Sequence, residues 1–281
     1  MGSAPEGIVA DPVTRTVVVG VRNPDQLTVL NADTGAVSGH APLPGVLRHL
    51  QLAKPGGPVL VPDESSNSLL QVGLPTGAIL SRVPTGISPH DATEADNGTV
   101  IVANEGGGSA VAVRGNTVVR TFTDVTQPAG VAHAGNIVGL LDVRENTLTF
   151  YDAATLGPIT ELAAGNGPTH VVTDRHARMI VADTRGDALL VYQPPPQAAQ
   201  LTRTALPGIP YGITYDPVRD RLWVTLTAAN QVVAYDMSQP TPREIERLPT
   251  AAQPYTVAVD STTGRLFVTA TGQGAVEIID P

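Results

Sequence analysis

Pro210-Tyr211-Gly212-Ile213-Thr214-Tyr215-Asp216 is the stretch on which this sequence turns, because it recurs. Pro254-Tyr255-Thr256-Val257-Ala258-Val259-Asp260 repeats it closely, and Pro5-Glu6-Gly7-Ile8-Val9-Ala10-Asp11 opens the chain on the same pattern. Degenerate copies stand at Ser88-Pro89-His90-Asp91-Ala92, Gln127-Pro128-Ala129-Gly130-Val131 and Gly167-Pro168-Thr169-His170-Val171. In one further unit Leu47-Arg48-His49-Leu50 replaces the proline motif. The units therefore start near residues 5, 47, 89, 128, 168, 210 and 254 and run 39 to 44 residues each. A fixed period of that length marks stacked supersecondary units.

Each unit reads as four strands. In the sixth, Gly212–Tyr215 is a short apolar run, and Asp216-Pro217-Val218-Arg219-Asp220 is a turn. Arg221–Thr225 and Val232–Asp236 are rich in β-branched and aromatic residues, and a more polar run, Arg243–Leu248, ends in Pro249-Thr250. Alternation and regular turn residues predict antiparallel strands, and no window keeps a helical period. A four-strand meander cannot bury both of its faces alone. Stacking such meanders radially buries them and leaves only short edges. The expected fold is therefore all-β: one seven-bladed propeller domain over residues 1–281. The last unit runs only to a third strand, Ala275–Asp280. It is expected to form a three-stranded blade, or to mark a chain trimmed at one end.

The bulk composition narrows the function classes. Of 281 residues, 42% are hydrophobic and 15% charged, with a net charge of -9. Lysine is nearly absent and the arginines are scattered, so the chain lacks the basic stripe that binding a phosphate backbone requires. Nucleic acid is excluded as an expected partner. No apolar run approaches the ~20 residues of a membrane-spanning helix. There is no cysteine, hence no disulfide and no thiolate metal site. Met1-Gly2-Ser3 carries neither a charged nor an apolar leader and reads as an expression start, with any signal peptide outside this chain. Pro194-Pro195-Pro196 is expected to be a stiff extended loop, and Gly106-Gly107-Gly108 follows a strand without opening a helix. Trp223 is expected between blades.

Leu266-Phe267-Val268-Thr269-Ala270, Leu222-Trp223-Val224-Thr225 and Ile101-Val102-Ala103-Asn104 resemble the YVTN β-propeller repeat. Val29-Leu30-Asn31-Ala32-Asp33-Thr34-Gly35 and Phe150-Tyr151-Asp152-Ala153-Ala154-Thr155 do so as well. The resemblance spans Pro5 to Pro281 and departs from the pattern in repeats two to four. It implies an extracytoplasmic protein (periplasmic, cell-surface or secreted) that serves as a monomeric binding or scaffold propeller. Related propellers include lactonases and a streptogramin lyase, so the same resemblance leaves a lyase or hydrolase open.

In an up-down meander the start of the inner strand and the end of the second strand lie at one rim. Both sets should ring one mouth of the central channel. Inner-strand starts supply Glu6, Arg48, His49, His90, Asp91, Thr169, His170, Tyr211 and Tyr255. Second-strand ends supply Arg22, Asp63, Glu64, Asn104, Glu105, Asp142, Arg144 and Asp183. The expected ligand site is His49, His90, Asp91, Glu105, His170 and Asp183 on one side, with Tyr211 and Tyr255 opposite. It suits a protein or a small polar ligand. His49, His90 and His170 with Glu105 are also a candidate ligand set for a divalent metal, where a histidine would move a proton. A plainer reading is that propeller mouths are polar and such histidines bond to neighbouring carbonyls. His40, His133 and His176 are expected to be structural.

Overall fold

A computed structural model of the chain describes residues 3–281. Met1 and Gly2, where the sequence reading expected an expression start, lie outside the described residues. The units form seven antiparallel sheets around an axis, six of four strands and one of three, each strand beside its sequence neighbour. Blade six shows the plan, with inner strand Pro210–Asp216, then Arg221–Leu226 and Gln231–Asp236, and outer strand Arg243–Pro249.

The apolar pattern of the middle strands follows from what covers them. Seven apolar clusters fill the structure, and each is shared by two adjacent blades. Val18 and Leu27 of blade one meet Val59 and Leu70 of blade two. Ala258 and Phe267 of blade seven meet Val17 and Leu30 of blade one, which closes the ring. Trp223 packs against Val257, Leu266 and Val268 across the interface of blades six and seven, as expected. Near the axis the inner strands crowd. A Cβ on Gly212 would lie 2.3 Å from the Tyr255 carbonyl oxygen, and one on Gly130 would lie 2.7 Å from that of Thr169. Only glycine lets the neighbouring backbone approach this closely.

The outer strands are more polar and carry one regular distortion. In every four-stranded blade the third and fourth strands slip by one residue at the same step, as between Ala234 and Tyr235, where Ile245 is passed over. The seventh blade, Pro254–Val259, Leu266–Ala270 and Ala275–Ile279, has three strands, as its length required.

Three local expectations need correction. The inner strand of blade two is only Gln51–Leu52 and begins after Leu47–Leu50. Leu47 is buried instead in the space left by Gly7 and Gly20, so this segment packs rather than pairs. Pro194-Pro195-Pro196 opens the turn between Ala188–Gln193 and Ala199–Ala205 and is not an extended loop. Glu105–Gly107 forms one turn of 3-10 helix, closed by Gly108 in the left-handed region.

One buried ion pair bolts blade five to blade six. Asp174 and Arg178 are both almost fully buried, and Arg178 Nε donates to Asp174 Oδ2 at 2.7 Å. Arg178 Nη2 also donates to the Met237 carbonyl of blade six. Removing the guanidinium would leave a buried carboxylate unpaired. We predict that Arg178→Ala lowers the unfolding free energy by about 3–5 kcal/mol in urea titrations. Arg247→Ala, which breaks a surface pair with Glu244, should leave it within error.

Candidate functional site in the central channel

The two sets of strand ends meet at one rim, as the meander dictates. Arg22 Nη2 lies 2.8 Å from Glu6 Oε2, and Arg48 Nε lies 2.8 Å from Glu64 Oε1. His90 Nδ1 lies 2.8 Å from Glu105 Oε2, off the line of a hydrogen bond. Gln127 Nε2 donates to Glu105 Oε1 at 2.8 Å. These contacts draw the Glu105 carboxyl down to about 2, His90 foremost. Arg48, Glu64, Glu105, Gln127 and Arg144 line a shallow pocket of about 400 Å3 at this mouth.

Beneath that rim five rings pack in a row across the channel. The ring centres of His90 and His49 are 4.5 Å apart, those of His49 and His170 4.3 Å, those of His170 and Tyr211 4.4 Å, and those of Tyr211 and Tyr255 4.4 Å. The tyrosines are thus continuous with the histidines, not opposite them as expected. The three histidines are 5 to 8% exposed. They sit in a buried layer, not on an open mouth.

His49, His170 and the two tyrosines of this layer are neutral near pH 7. Burial pushes the His170 imidazole down to about 3 and holds His49 well below its ordinary value, with the neighbouring imidazoles adding to both. Burial raises both phenols, which stay protonated. The hydrogen bonds run in one direction. Thr184 Oγ1 donates to the Pro210 carbonyl at 2.7 Å and lies 2.6 Å from Thr169 Oγ1. Thr184 has spent its proton, so Thr169 donates to it and accepts from His170 Nδ1 at 3.1 Å. His170 Nε2 is then the acceptor in the 3.1 Å contact with His49, which must donate. The hydroxyls of Tyr211 and Tyr255 are hydrogen-bonded to each other at 2.6 Å.

A second cavity lies on the far side of this layer, toward the ends of the inner strands. It has a volume of about 730 Å3. His49, His170, Asp91 and Gln51 stand at its floor, Val9, Leu52, Val172, Ile213 and Val257 are among its walls, and Lys54, Asp96, His133 and Arg175 mark its rim. Gln51 Nε2 donates to both oxygens of Asp91 at 3.0 Å and to the Val131 carbonyl at 2.8 Å. The N–H groups of Ala92 and Val131 complete the carboxyl's bonds. Burial still pushes Asp91 up to about 6. Sequence reading found Asp91 but missed Gln51 and this end of the channel. The one signal was the broken motif of repeat two, which places Gln51 at the axis.

Asp183 does not join the group. Its Oδ1 accepts the N–H of Asn166 at 2.9 Å and of Gly186 at 3.2 Å, closing a loop crossing. Asp63 and Asp142 hold equivalent turns. A short carboxylate after a strand bonds local N–H groups before it reaches a ligand. His40, His133 and His176 bond to Thr28, Thr93 and Asp220 respectively, away from the layer. Among the described residues no three His, Asp or Glu side chains converge as a metal-ligand set. The nitrogens of His49 and His170 point at each other.

No family model matches this chain, and no curated protein matches it. Solved structures match over almost its whole length. A chain of hydrazine synthase from Kuenenia stuttgartiensis superposes with a TM-score of 0.84 at 16% identity, covering 99% of this chain and 96% of that one. A streptogramin B lyase superposes at 0.82 with 15% identity, covering 96% and 91%. The β-propeller domain of Cps50 (Swd1) from Myceliophteria thermophila gives 0.82 at 10% identity, covering 100% and 97%. At these identities the likeness establishes the fold alone: the chain is a seven-bladed β-propeller of the shape shared by streptogramin B lyase.

Proposed function

We propose that this protein is a non-catalytic binding propeller that holds a small ligand in the deep cavity of its channel. The supporting observation is the 730 Å3 cavity floored by neutral His49 and His170. Ligand pockets commonly span about 300–1,000 Å3 and combine apolar walls with a few convergent polar groups. The floor matches an uncharged ligand end that hydrogen-bonds, because a bare ion would meet neutral rings and a carboxyl already fully bonded. The repeat's resemblance to surface propellers supports an extracytoplasmic site of action.

The lyase or hydrolase alternative uses the other mouth, where Glu105 and His90 meet. A streptogramin B lyase shares the fold, and that likeness carries no residue to this chain. A divalent ion bound there would require the histidines to turn away from one another.

Thr214 lines the cavity from the inner strand of blade six. Native mass spectrometry of untagged protein from its source cell should show a small-molecule adduct that Thr214→Phe loses while its circular dichroism is unchanged. An adduct retained in Thr214→Phe would overturn the reading. So would a robust turnover lost in His90→Ala, or a thermal shift with divalent ions that is lost in the same variant.

A second prediction concerns pH. The folded-state value of His170 lies below its ordinary value, so the unfolded chain takes up the proton first and stability falls as pH drops below about 6.5. Asp91 acts oppositely between about 6 and its ordinary 3.8, since its folded form keeps the proton. His170→Gln removes one histidine's share and leaves Asp91 in place. The stability difference between wild type and His170→Gln should therefore slope by about 1.4 kcal/mol per pH unit between pH 6 and 4. Urea titrations across that range check it, and a parallel pair of curves would refute the buried neutral imidazole.

A further inference from the structure

The deep cavity is polar at two heights, and the wall between them is largely aliphatic. At the floor Gln51 decides what can bond. Its Nε2 carries two hydrogens and faces three acceptors, both oxygens of Asp91 at 3.0 Å and the Val131 carbonyl at 2.8 Å. Both protons are spent there, which turns the amide oxygen away from those acceptors. Among the described residues Gln51 Oε1 accepts no hydrogen bond, and it is not closed off from the cavity that Gln51 lines. Each Asp91 oxygen already accepts one bond from Gln51 and one from an N–H, of Ala92 or of Val131. The floor therefore offers a neutral acceptor and lacks a donor to meet it. A hydroxyl supplies that donor, whereas an ammonium would give up its hydration for one uncharged oxygen.

The rim differs in charge. Blades one, five, six and seven close the turn after the inner strand with an aspartate, Asp11, Asp174, Asp216 or Asp260, whose carboxylate accepts local N–H groups. Blade two has Ala53 at that position, followed by Lys54. Its turn is fixed by other bonds. Ala53 N–H donates to the Pro58 carbonyl and Gly57 N–H to the Lys54 carbonyl, both at 2.9 Å. Gly56 N–H reaches across to Asp11 Oδ1 of blade one at 2.8 Å. Lys54 is thus carried at the rim on a tied turn, and it forms no ion pair among the described residues. The other basic groups of the rim are engaged. Arg175 Nη2 lies 2.8 Å from Asp220 Oδ2, and His133 stands 3.8 Å from Asp96.

We propose that the deep cavity takes a linear aliphatic monoanion, with a hydroxyl donating to Gln51 Oε1 at the floor and a carboxylate beside Lys54 at the rim. This ligand class rests on the cavity being the protein's ligand site. Its length follows from the strands. His170 at the floor and Arg175 at the rim are five residues apart along blade five, or about 16 Å of strand. About a dozen extended chain atoms span that distance. Val9, Leu52, Val172, Ile213 and Val257 then cover the methylene chain, which supplies most of the affinity.

The probes are ω-hydroxydecanoate, decanoate and decane-α,ω-diol, titrated into the full chain by calorimetry. The hydroxy acid should bind. Decanoate should bind about fivefold more weakly, because it leaves Gln51 Oε1 covered without a donor. The diol should bind about threefold more weakly, the share of an exposed ion pair. Lys54→Gln should weaken the hydroxy acid about threefold and leave the diol unchanged, and Lys54→Arg should keep both. Lys54 is the only lysine in the sequence, so an amine-acylating reagent reads it apart from the α-amine, and the hydroxy acid should slow that modification. Decanoate as tight as the hydroxy acid, or an affinity indifferent to Lys54→Gln, would overturn the proposal. So would a wild type that binds no hydroxy acid. In that case a native adduct lost in Thr214→Phe would keep the cavity as the ligand site and remove only this ligand class. Hydroxy acid bound as tightly by Thr214→Phe would place the probe outside the cavity and overturn the proposal as well.

Discussion

Each blade presents two apolar faces, and neither can meet water without a large loss of hydrophobic free energy. That constraint governs the rest of the structure. Every face is covered by the next blade, and the cluster that joins Phe267 to Val17 and Leu30 brings the last sheet against the first. A ring is the arrangement in which no face is left over. Its inner strands then converge, and Gly130 and Gly212 mark where backbone must pass against backbone. The buried Arg178–Asp174 pair adds register between two blades, since its guanidinium also reaches the Met237 carbonyl.

Closure of the ring sets the electrostatics of the channel. Residues from blades two, three, five, six and seven are forced together at the axis, where desolvation disfavours charge. The chain meets this by leaving His49 and His170 neutral and by running their hydrogen bonds in one direction, from His49 through His170 and Thr169 to Thr184 and the Pro210 carbonyl. The layer divides the channel into a charged mouth, with Glu105, Arg48 and Arg144, and a deeper, largely apolar cavity. The two compartments offer different chemistry to a ligand.

The repeat was legible because turn residues and apolar runs recur at a fixed period, and Trp223 lay where that period placed it. That Arg22 and Glu6, and His90 and Glu105, stand at one rim was also legible, since a meander must bring those strand ends together; which of them pair was not. Other features were not. Asp183 looks like a mouth residue, but two local N–H groups capture its carboxylate first. Leu47–Leu50 looks like a strand start, but Leu47 fills the space that Gly7 and Gly20 leave in another repeat. The bond between Gln51 and Asp91 joins residues forty positions apart in a repeat whose motif is broken.

The sequence by itself determined the number of blades, the order of strands within each, and the missing outer strand of the seventh, because these depend on local pattern and period. Only the tertiary structure decided that His49, His90, His170, Tyr211 and Tyr255 form one buried layer, and that the large cavity opens beyond it. Those outcomes depend on how far each inner strand advances toward the axis. That distance is fixed by packing between neighbouring blades, and no single repeat encodes it.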